Sequence, residues 1–289
     1  MKLVRLGPVG QEKPGVLVDD DTFVDLTDEV GDFNEAFFGS GKLAQLDKVV
    51  AERVAAGKTE SVNGRRFGAP FARPHQILCI GLNYSDHAAE SGSKVPDEPI
   101  LFTKSPNTLV GPNDDIQIPR GSVKTDWEIE LGIVIGRHCS YLSDEAEALA
   151  SIAGYVLVND VSEREWQIER SGQWSKGKSA PTFNPAGPFL VTPDEVGDAS
   201  NLDMTLDIDG VRRQTGNTSK MVFGPAFLVH YLSQFLALEP GDLINTGTPP
   251  GVGLGMKPPT YLTGGETLTL SISKLGTQTQ RVLPDTSAT

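Results

Sequence analysis

Apolar residues in this chain fall into short blocks, many of them β-branched, with glycine, proline, asparagine and aspartate in the gaps. That texture predicts more strands than helices. Strands are expected at residues 2–6, 15–18, 23–26, 76–80, 99–104, 126–136, 152–158, 202–208, 211–214, 243–245, 266–272 and 278–282. Asp209-Gly210 closes a hairpin between two of them, because this pair tolerates the positive φ of a tight turn. Helical spacing appears at 43–56, through Leu43, Leu46, Val49, Val50 and Val54, and also at 145–151, 163–170 and 226–234. Residues 64–74, with their Gly, Arg and Pro, read as a linker. The chain then divides into a small β-rich N-terminal accessory domain, 1–70, and a main domain, 75–289, whose polar end (285–289) is expected to fray.

The segment 126–136 breaks its own apolar pattern. Side chains of a strand alternate faces, so Glu128 and Glu130 share one face while Trp127, Ile129 and Leu131 share the other. Two like charges on one face of an apolar strand repel, and they cost desolvation energy if buried. A solvated face would resolve the conflict. So would a divalent cation, and carboxylate oxygens suit Mg²⁺, Mn²⁺ or Ca²⁺.

Other polar groups stand at strand ends. After the strand at 76–80, Ser85 or Asp86 can cap a short helix that places His87 and Glu90 one turn apart. A carboxylate beside an imidazole orients it and raises its basicity, as a general base needs, although the same pair also suits a plain helix surface. His75, His138 and His230 have no such neighbour in the sequence and read as structural. Asp160 follows the strand at 152–158, where it could join a site or cap the helix expected at 163–170. Arg164 and Gln167, one turn apart on that helix, could clamp a substrate carboxylate or face solvent. Lys176-Gly177-Lys178 lacks the preceding glycine spacing of a phosphate-binding loop. Residues 246–253, Thr-Gly-Thr-Pro-Pro-Gly-Val-Gly, form a loop that lets backbone and hydroxyl groups approach a ligand closely.

Composition narrows the function classes. With 289 residues the chain can bury a full core. A net charge of −13 argues against nucleic-acid binding, which needs basic patches. Cys79 and Cys139 form no ligand or redox motif. The start lacks an apolar leader, and no window approaches a membrane span, so a soluble, cytoplasmic protein with no membrane or nucleic-acid partner is expected.

In combination these segments resemble the fumarylacetoacetate hydrolase family. The matching residues are Gly81-Leu82-Asn83-Tyr84 with His87 and Glu90, Asp126 to Leu131, Asn159-Asp160-Val161-Ser162 with Arg164 and Gln167, Lys178 with Phe183 and Gly187-Pro188, and the loop at 246–253. The resemblance runs from about residue 75 to the end. It implies an α+β fold, a β-rich roll of mixed sheets with a small N-terminal accessory domain, assembled as a homodimer or higher homo-oligomer. It implies Glu128, Glu130 and Asp160 as ligands of Mg²⁺ or Mn²⁺, and His87, Glu90 and Lys178 as catalytic groups. Tyr84, Arg164, Gln167 and Thr248 match positions that line the substrate pocket. Residues 11–15, Asp126-Trp127 and Gly177-Lys178-Ser179 look closest to hydrolases of 2,4-diketo-3-deoxy sugar acids such as fuconate or rhamnonate derivatives, a subgroup that includes members labelled ureidoglycolate lyase. Many members carry Asp three residues after the lysine; Pro181 stands there in this chain.

The activity so implied is metal-dependent hydrolysis of a C–C bond in a 2,4-diketo acid, giving pyruvate and a second carboxylic acid. Two alternatives use the same residues: decarboxylation of oxaloacetate, and isomerisation of a 2-hydroxy-dienedioate. A third, of another class, is a non-catalytic metal- or ligand-binding homologue.

Overall fold

A computed structural model describes residues 1–86 and 94–285. Its core is a mixed ten-stranded sheet. In sheet order the strands are Glu60–Ser61, Thr22–Asp25, Lys13–Leu17, Lys2–Leu6, Leu190–Val191, Ile152–Asn159, Ile129–Ile135, Leu243–Asn245, Ile77–Gly81 and Ile100–Lys104. All neighbours are antiparallel except Leu243–Asn245 and Ile77–Gly81, which run parallel. A second sheet of five strands orders Val211–Asn217, Asp203–Ile208, Thr267–Ile272, Gly276–Leu283 and Ile116–Gln117. The hairpin expected at Asp209-Gly210 joins the first two, with both turn residues at positive φ.

Alternation along the central strands divides the core in two. Ile129, Leu131, Ile133 and Ile135 point one way with Tyr155 and Leu157. They meet Met204, Leu206, Leu268 and Leu270 of the second sheet and Leu228, Val229 and Leu232 of helix Pro225–Ser233. Val134, Val156 and Val158 point the other way, toward Phe33, Phe37, Phe38 and Leu46 of the N-terminal segment. That segment also continues the main sheet, since Lys2 and Leu3 pair with Val191 and Leu190. Residues 1–70 are therefore joined to the rest by backbone pairing as well as by side-chain packing.

One element differs in kind from its expectation. Residues 163–170 were expected as an α-helix. Instead Ser162 and Glu163 pair with Asp126 and Thr125, and Glu165–Glu169 forms a single π-turn. The Arg164 N–H donates to Lys124 O at 3.0 Å, so strand-like pairing holds the first residues of the segment and leaves too few for a regular helix. The Glu163 carboxylate then accepts the Trp166 N–H at 2.7 Å and starts the turn. Among the described residues, no helix is long and apolar enough to cross a membrane. Both cysteines are free and buried.

Candidate active site

Antiparallel register assembles the site. Ile129 opens its strand opposite Asn159, the last residue of the next one, so Glu128 and Asp160 meet just beyond that pair. The Asp160 N–H donates to Glu128 O at 2.9 Å, and the Asn159 side chain accepts the Glu128 N–H at 3.2 Å. Glu130 stands one pleat further on the same face. Ligand oxygens of Glu128, Glu130 and Asp160 all lie within 4.8 Å of one another, and all three residues are buried. The solvated-face alternative for the Glu128–Glu130 pair is thereby excluded.

Three buried cations surround the acids. Lys178, at the end of helix Ser175–Lys178, donates to Glu128 Oε2 at 2.6 Å and Asp160 Oδ2 at 3.1 Å. Lys104, at the end of its strand, bonds the other Asp160 oxygen and donates to Phe183 O at 2.7 Å and Val161 O at 3.1 Å. Arg164 donates through Nε to Asp126 Oδ2 at 2.7 Å, and its outer nitrogen lies 2.7 Å from Glu128 Oε1, close enough for an ion pair but not aligned as a hydrogen bond. Its third nitrogen donates to Gln167 Oε1 at 3.0 Å. That contact turns the Gln167 amide N–H groups away from Arg164, and Gln167 lines the cavity.

Glu130 is the exception. It accepts the Gly247 N–H at 2.8 Å and has no cation at ion-pair distance among the described residues. Gly247 can present that N–H because it holds φ +96°, and a Cβ there would lie 2.9 Å from the Asn83 side chain. Burial first, and then the negative charges of Asp160 and Glu128, push the Glu130 carboxyl well above its ordinary range. Glu128 goes the opposite way. Burial raises it, but Lys178 and Arg164 together outweigh burial and hold it at about 2. Burial would depress Lys178, yet Asp160 and Glu128 keep it raised. Lys104 stays lowered, because burial outweighs its contact with Asp160.

Above the acids a cavity of about 550 Å³ opens to the surface. Glu128, Glu130, Arg164, Gln167 and Lys178 form its floor; Ile80, Leu82, Phe102, Trp174, Val252 and Met256 are among its walls. The loop 246–256 is laced to the acid-bearing segment. Asp126 accepts the N–H groups of Gly253 at 2.7 Å and Leu254 at 3.0 Å, while Thr246 and Thr248 hydroxyls donate to Leu131 O and Ile129 O at 2.8 Å.

Several sequence-derived placements need revision. Tyr84 was expected at the substrate; its ring is fully buried in the main core and its hydroxyl donates to Met204 Sδ at 3.1 Å, away from the cavity lining. Thr248 does line the cavity, but its hydroxyl is committed to Ile129 O and to the Gln214 amide. Arg164 was expected to clamp a substrate carboxylate, and most of its donors are engaged by Asp126, Glu128 and Gln167. His87 and Glu90, expected as a catalytic pair, lie outside the described residues. His75 and His138, read as lacking acidic neighbours, sit beside Glu35 and Glu239 on the surface. Pro181 is exposed, so no charge is missing from the interior at that position. Lys104, Asp126 and Gln214, which the sequence pattern does not single out as site residues, hold Asp160, Arg164 and Thr248 in place. Lys104 carried the same signal as Asp160, a charged residue closing an apolar strand.

These features place the chain in a known class. It belongs to the fumarylacetoacetate hydrolase family: the family's Fumarylacetoacetate (FAA) hydrolase C-terminal domain matches residues 76–283. A protein of Burkholderia ambifaria (strain MC40-6), named only "Putative hydrolase", is 53% identical over 281 residues, covering 97% of this chain and 98% of that one. Fumarylacetoacetate hydrolase from Exiguobacterium antarcticum superposes with a TM-score of 0.82 at 32% identity, covering 98% and 99% of the two chains. The 2-hydroxyhepta-2,4-diene-1,7-dioate isomerase of Mycobacterium marinum superposes at 0.78 with 29% identity, covering 99% and 100%. Maleylpyruvate hydrolase of Sphingobium sp. SYK-6, solved with manganese(II) and pyruvate, shares the fold at 0.81 with 23% identity, covering 98% and 99%. The fold is thus one that hydrolases and isomerases share.

The residues fit a divalent cation. Four buried carboxylates (Asp126, Glu128, Glu130 and Asp160) face three buried cations (Lys104, Arg164 and Lys178). The acid left without a charge partner, Glu130, shares the oxygen cluster of Glu128 and Asp160. An all-oxygen donor set of carboxylates suits Mg²⁺ or Mn²⁺ rather than a soft metal.

Proposed function

We propose that this protein is a metal-dependent hydrolase that cleaves a C–C bond in a 2,4-diketo acid, releasing pyruvate and a second carboxylic acid. The observation that carries the reading is the uncompensated Glu130 beside Glu128 and Asp160, on the floor of a cavity whose walls are largely apolar. These three residues would hold Mg²⁺ or Mn²⁺, which would supply Lewis-acid stabilisation of negative charge on the keto-acid end of the substrate.

The chain's own residues supply the rest. His87, which the family resemblance pairs with Glu90, takes a proton from water, and the water oxygen bonds to C4 as the C4=O π pair moves onto its oxygen. The C4=O bond re-forms as the C3–C4 bond breaks, and the C3–C4 electron pair passes to the pyruvyl fragment as an enolate. Lys178, kept charged by Glu128 and Asp160, offsets that negative charge where water is scarce. The proton taken by His87 is returned to C3, which yields pyruvate, and C4 leaves as the carboxyl of the second acid. The Gln167 amide, held by Arg164, is positioned to donate to a substrate oxygen. In the subgroup that the sequence resembles, the arm beyond C4 is the polyhydroxylated chain of a 3-deoxy sugar acid.

Isomerisation of a 2-hydroxy-dienedioate uses the same enolate, and the likeness to the Mycobacterium marinum isomerase favours it as the second reading. Product analysis separates the two. Incubation of a 2,4-diketo acid with Mg²⁺ or Mn²⁺ should release pyruvate stoichiometrically. Turnover that survives exhaustive EDTA treatment would remove the metal from the reading. A dienedioate substrate that is rearranged, with no diketo acid cleaved, would favour the isomerase. His87→Ala should lower kcat while leaving KM near its starting value; a wild-type rate would show that another group is the base.

A further inference from the structure

Among the described residues, and apart from Lys257 at the outer rim, the charged side chains of the cavity lie on its floor. Above it, the ring of Trp174 packs edge-on against Phe102 with centroids 5.1 Å apart. It can do so because residue 81 is glycine: a Cβ there would stand 2.6 Å from the Trp174 ring. The facing wall is the 252–256 stretch, with Val252, Leu254 and Met256. At the mouth, Ile168 and Leu254 remain 47% and 38% exposed, an apolar rim that water solvates poorly.

Among the described residues, several hydrogen-bonding groups along these walls are already engaged. Thr248 carries the only side-chain hydroxyl among the described lining residues, and it is bonded to Ile129 O and Gln214. The N–H groups of Gly247, Leu254 and Gly255 go to Glu130, Asp126 and Val252 O. Lys257, the remaining charged lining residue, is exposed at the outer rim. Among the described residues, a polyhydroxylated arm would find few partners to replace the water it leaves, whereas a hydrocarbon arm needs none and gains burial. The cavity, at about 550 Å³, falls within the range of pockets that enclose much larger ligands than a pyruvyl unit.

We infer that the substrate's arm beyond the diketo unit is hydrocarbon, aliphatic or aromatic, and not the polyol of a sugar acid. This inference rests on the diketo-acid reading of the floor and deepens it. Trp174, Leu254 and Ile168 act as specificity residues that select the arm.

Calorimetric titration of the Mg²⁺-loaded protein with straight-chain 2-oxo acids of increasing length, and with 2-oxo-3-deoxy sugar acids of matching length, tests it without turnover. The Kd should tighten about fourfold per added methylene until the arm reaches the mouth. A sugar acid should bind on the order of tenfold more weakly than the alkyl acid of equal length. Trp174→Ala should reduce the gain per methylene. Leu254→Ser, at a part-exposed position that folding tolerates better, should reduce it as well. A Kd independent of length, a sugar acid that binds as tightly as its alkyl counterpart, or no binding of any 2-oxo acid would overturn the inference. Length-dependent binding without cleavage of any 2,4-diketo acid would leave the inference standing and sink the proposed reaction.

Discussion

Two ion clusters in this molecule use the same residue types to different ends. One ties the N-terminal segment together and to Asp114 of the main part of the chain. Arg5 grips Asp32 through two hydrogen bonds at 2.6 and 2.9 Å, and Arg66 bonds Asp114 at 2.7 Å and Glu12 at 3.0 Å. Every acid there touches a guanidinium, and the group is partly open to water. The other cluster lies at and beneath the cavity floor, and joins Asp126, Glu128, Glu130 and Asp160 to Lys104, Arg164 and Lys178. It is buried, its acids outnumber its cations, and Glu130 touches no cation among the described residues. A cluster that only has to hold the fold can match each charge with a partner. A cluster built to receive a cation must leave charge unmatched, and the protein bears that cost until the ion arrives.

Breaking the floor at a matched acid should have the largest effect. Asp160→Ala leaves the buried Lys104 without an acid and Lys178 with Glu128 alone, and should cost about 3–5 kcal/mol in urea unfolding, with metal binding and turnover both lost. Retained metal affinity in that variant would show that the floor is a structural cluster like the one at Arg66.

Acid titration of the metal-free protein separates Glu128 from its neighbour. Its folded value of about 2 lies below the ordinary unfolded value near 4.3, so its contribution is present above about pH 4.3 and is lost as pH falls through 2. The loss should be roughly 3 kcal/mol. Glu130 has the opposite sign: its raised value favours the fold at low pH, and this is lost as pH climbs toward that value. A stability profile for the metal-free protein that is flat from acid to neutral pH would contradict both.

Glu130→Gln should therefore stabilise the metal-free protein at neutral pH by about 1–2 kcal/mol while weakening metal binding. Wild-type protein should gain about 2.7 kcal/mol in a hundredfold excess of metal over Kd, and the variant far less under the same conditions. A variant that loses stability without metal would mean that Glu130 has a partner in the fold.

The smallest effect belongs to the matched cluster. Arg66→Ala should cost about 1–2 kcal/mol, since its pairs are part-exposed, and kcat should not change. A fall in kcat with unchanged stability would tie the N-terminal segment to the reaction.

Much of this was legible in advance. Strand positions follow from apolar blocks bounded by turn residues, and the two-residue alternation at Glu128 and Glu130 placed both on one face before any coordinates. Asp160 stood out as an acid closing an apolar strand. The π-turn at Glu165–Glu169 was not legible, because pairing of Ser162 with Asp126 overrode a helical propensity that local sequence alone expresses. Tyr84 was misplaced for a related reason. A tyrosine beside a site residue can turn either way, and here the partner for its hydroxyl is Met204, 120 positions away.

By itself the sequence determined the longer strands, the family and the identity of the acids, because periodicity, turn chemistry and residue type are local properties. Tertiary structure alone decided which charges meet. The Ile129–Asn159 register sets Glu128 against Asp160. Lys104 and Lys178 arrive from separate elements to match those two, and Glu130 is left with a backbone N–H. The state of a buried charge depends on neighbours distant in the chain and on how much water they exclude, and no local pattern records either.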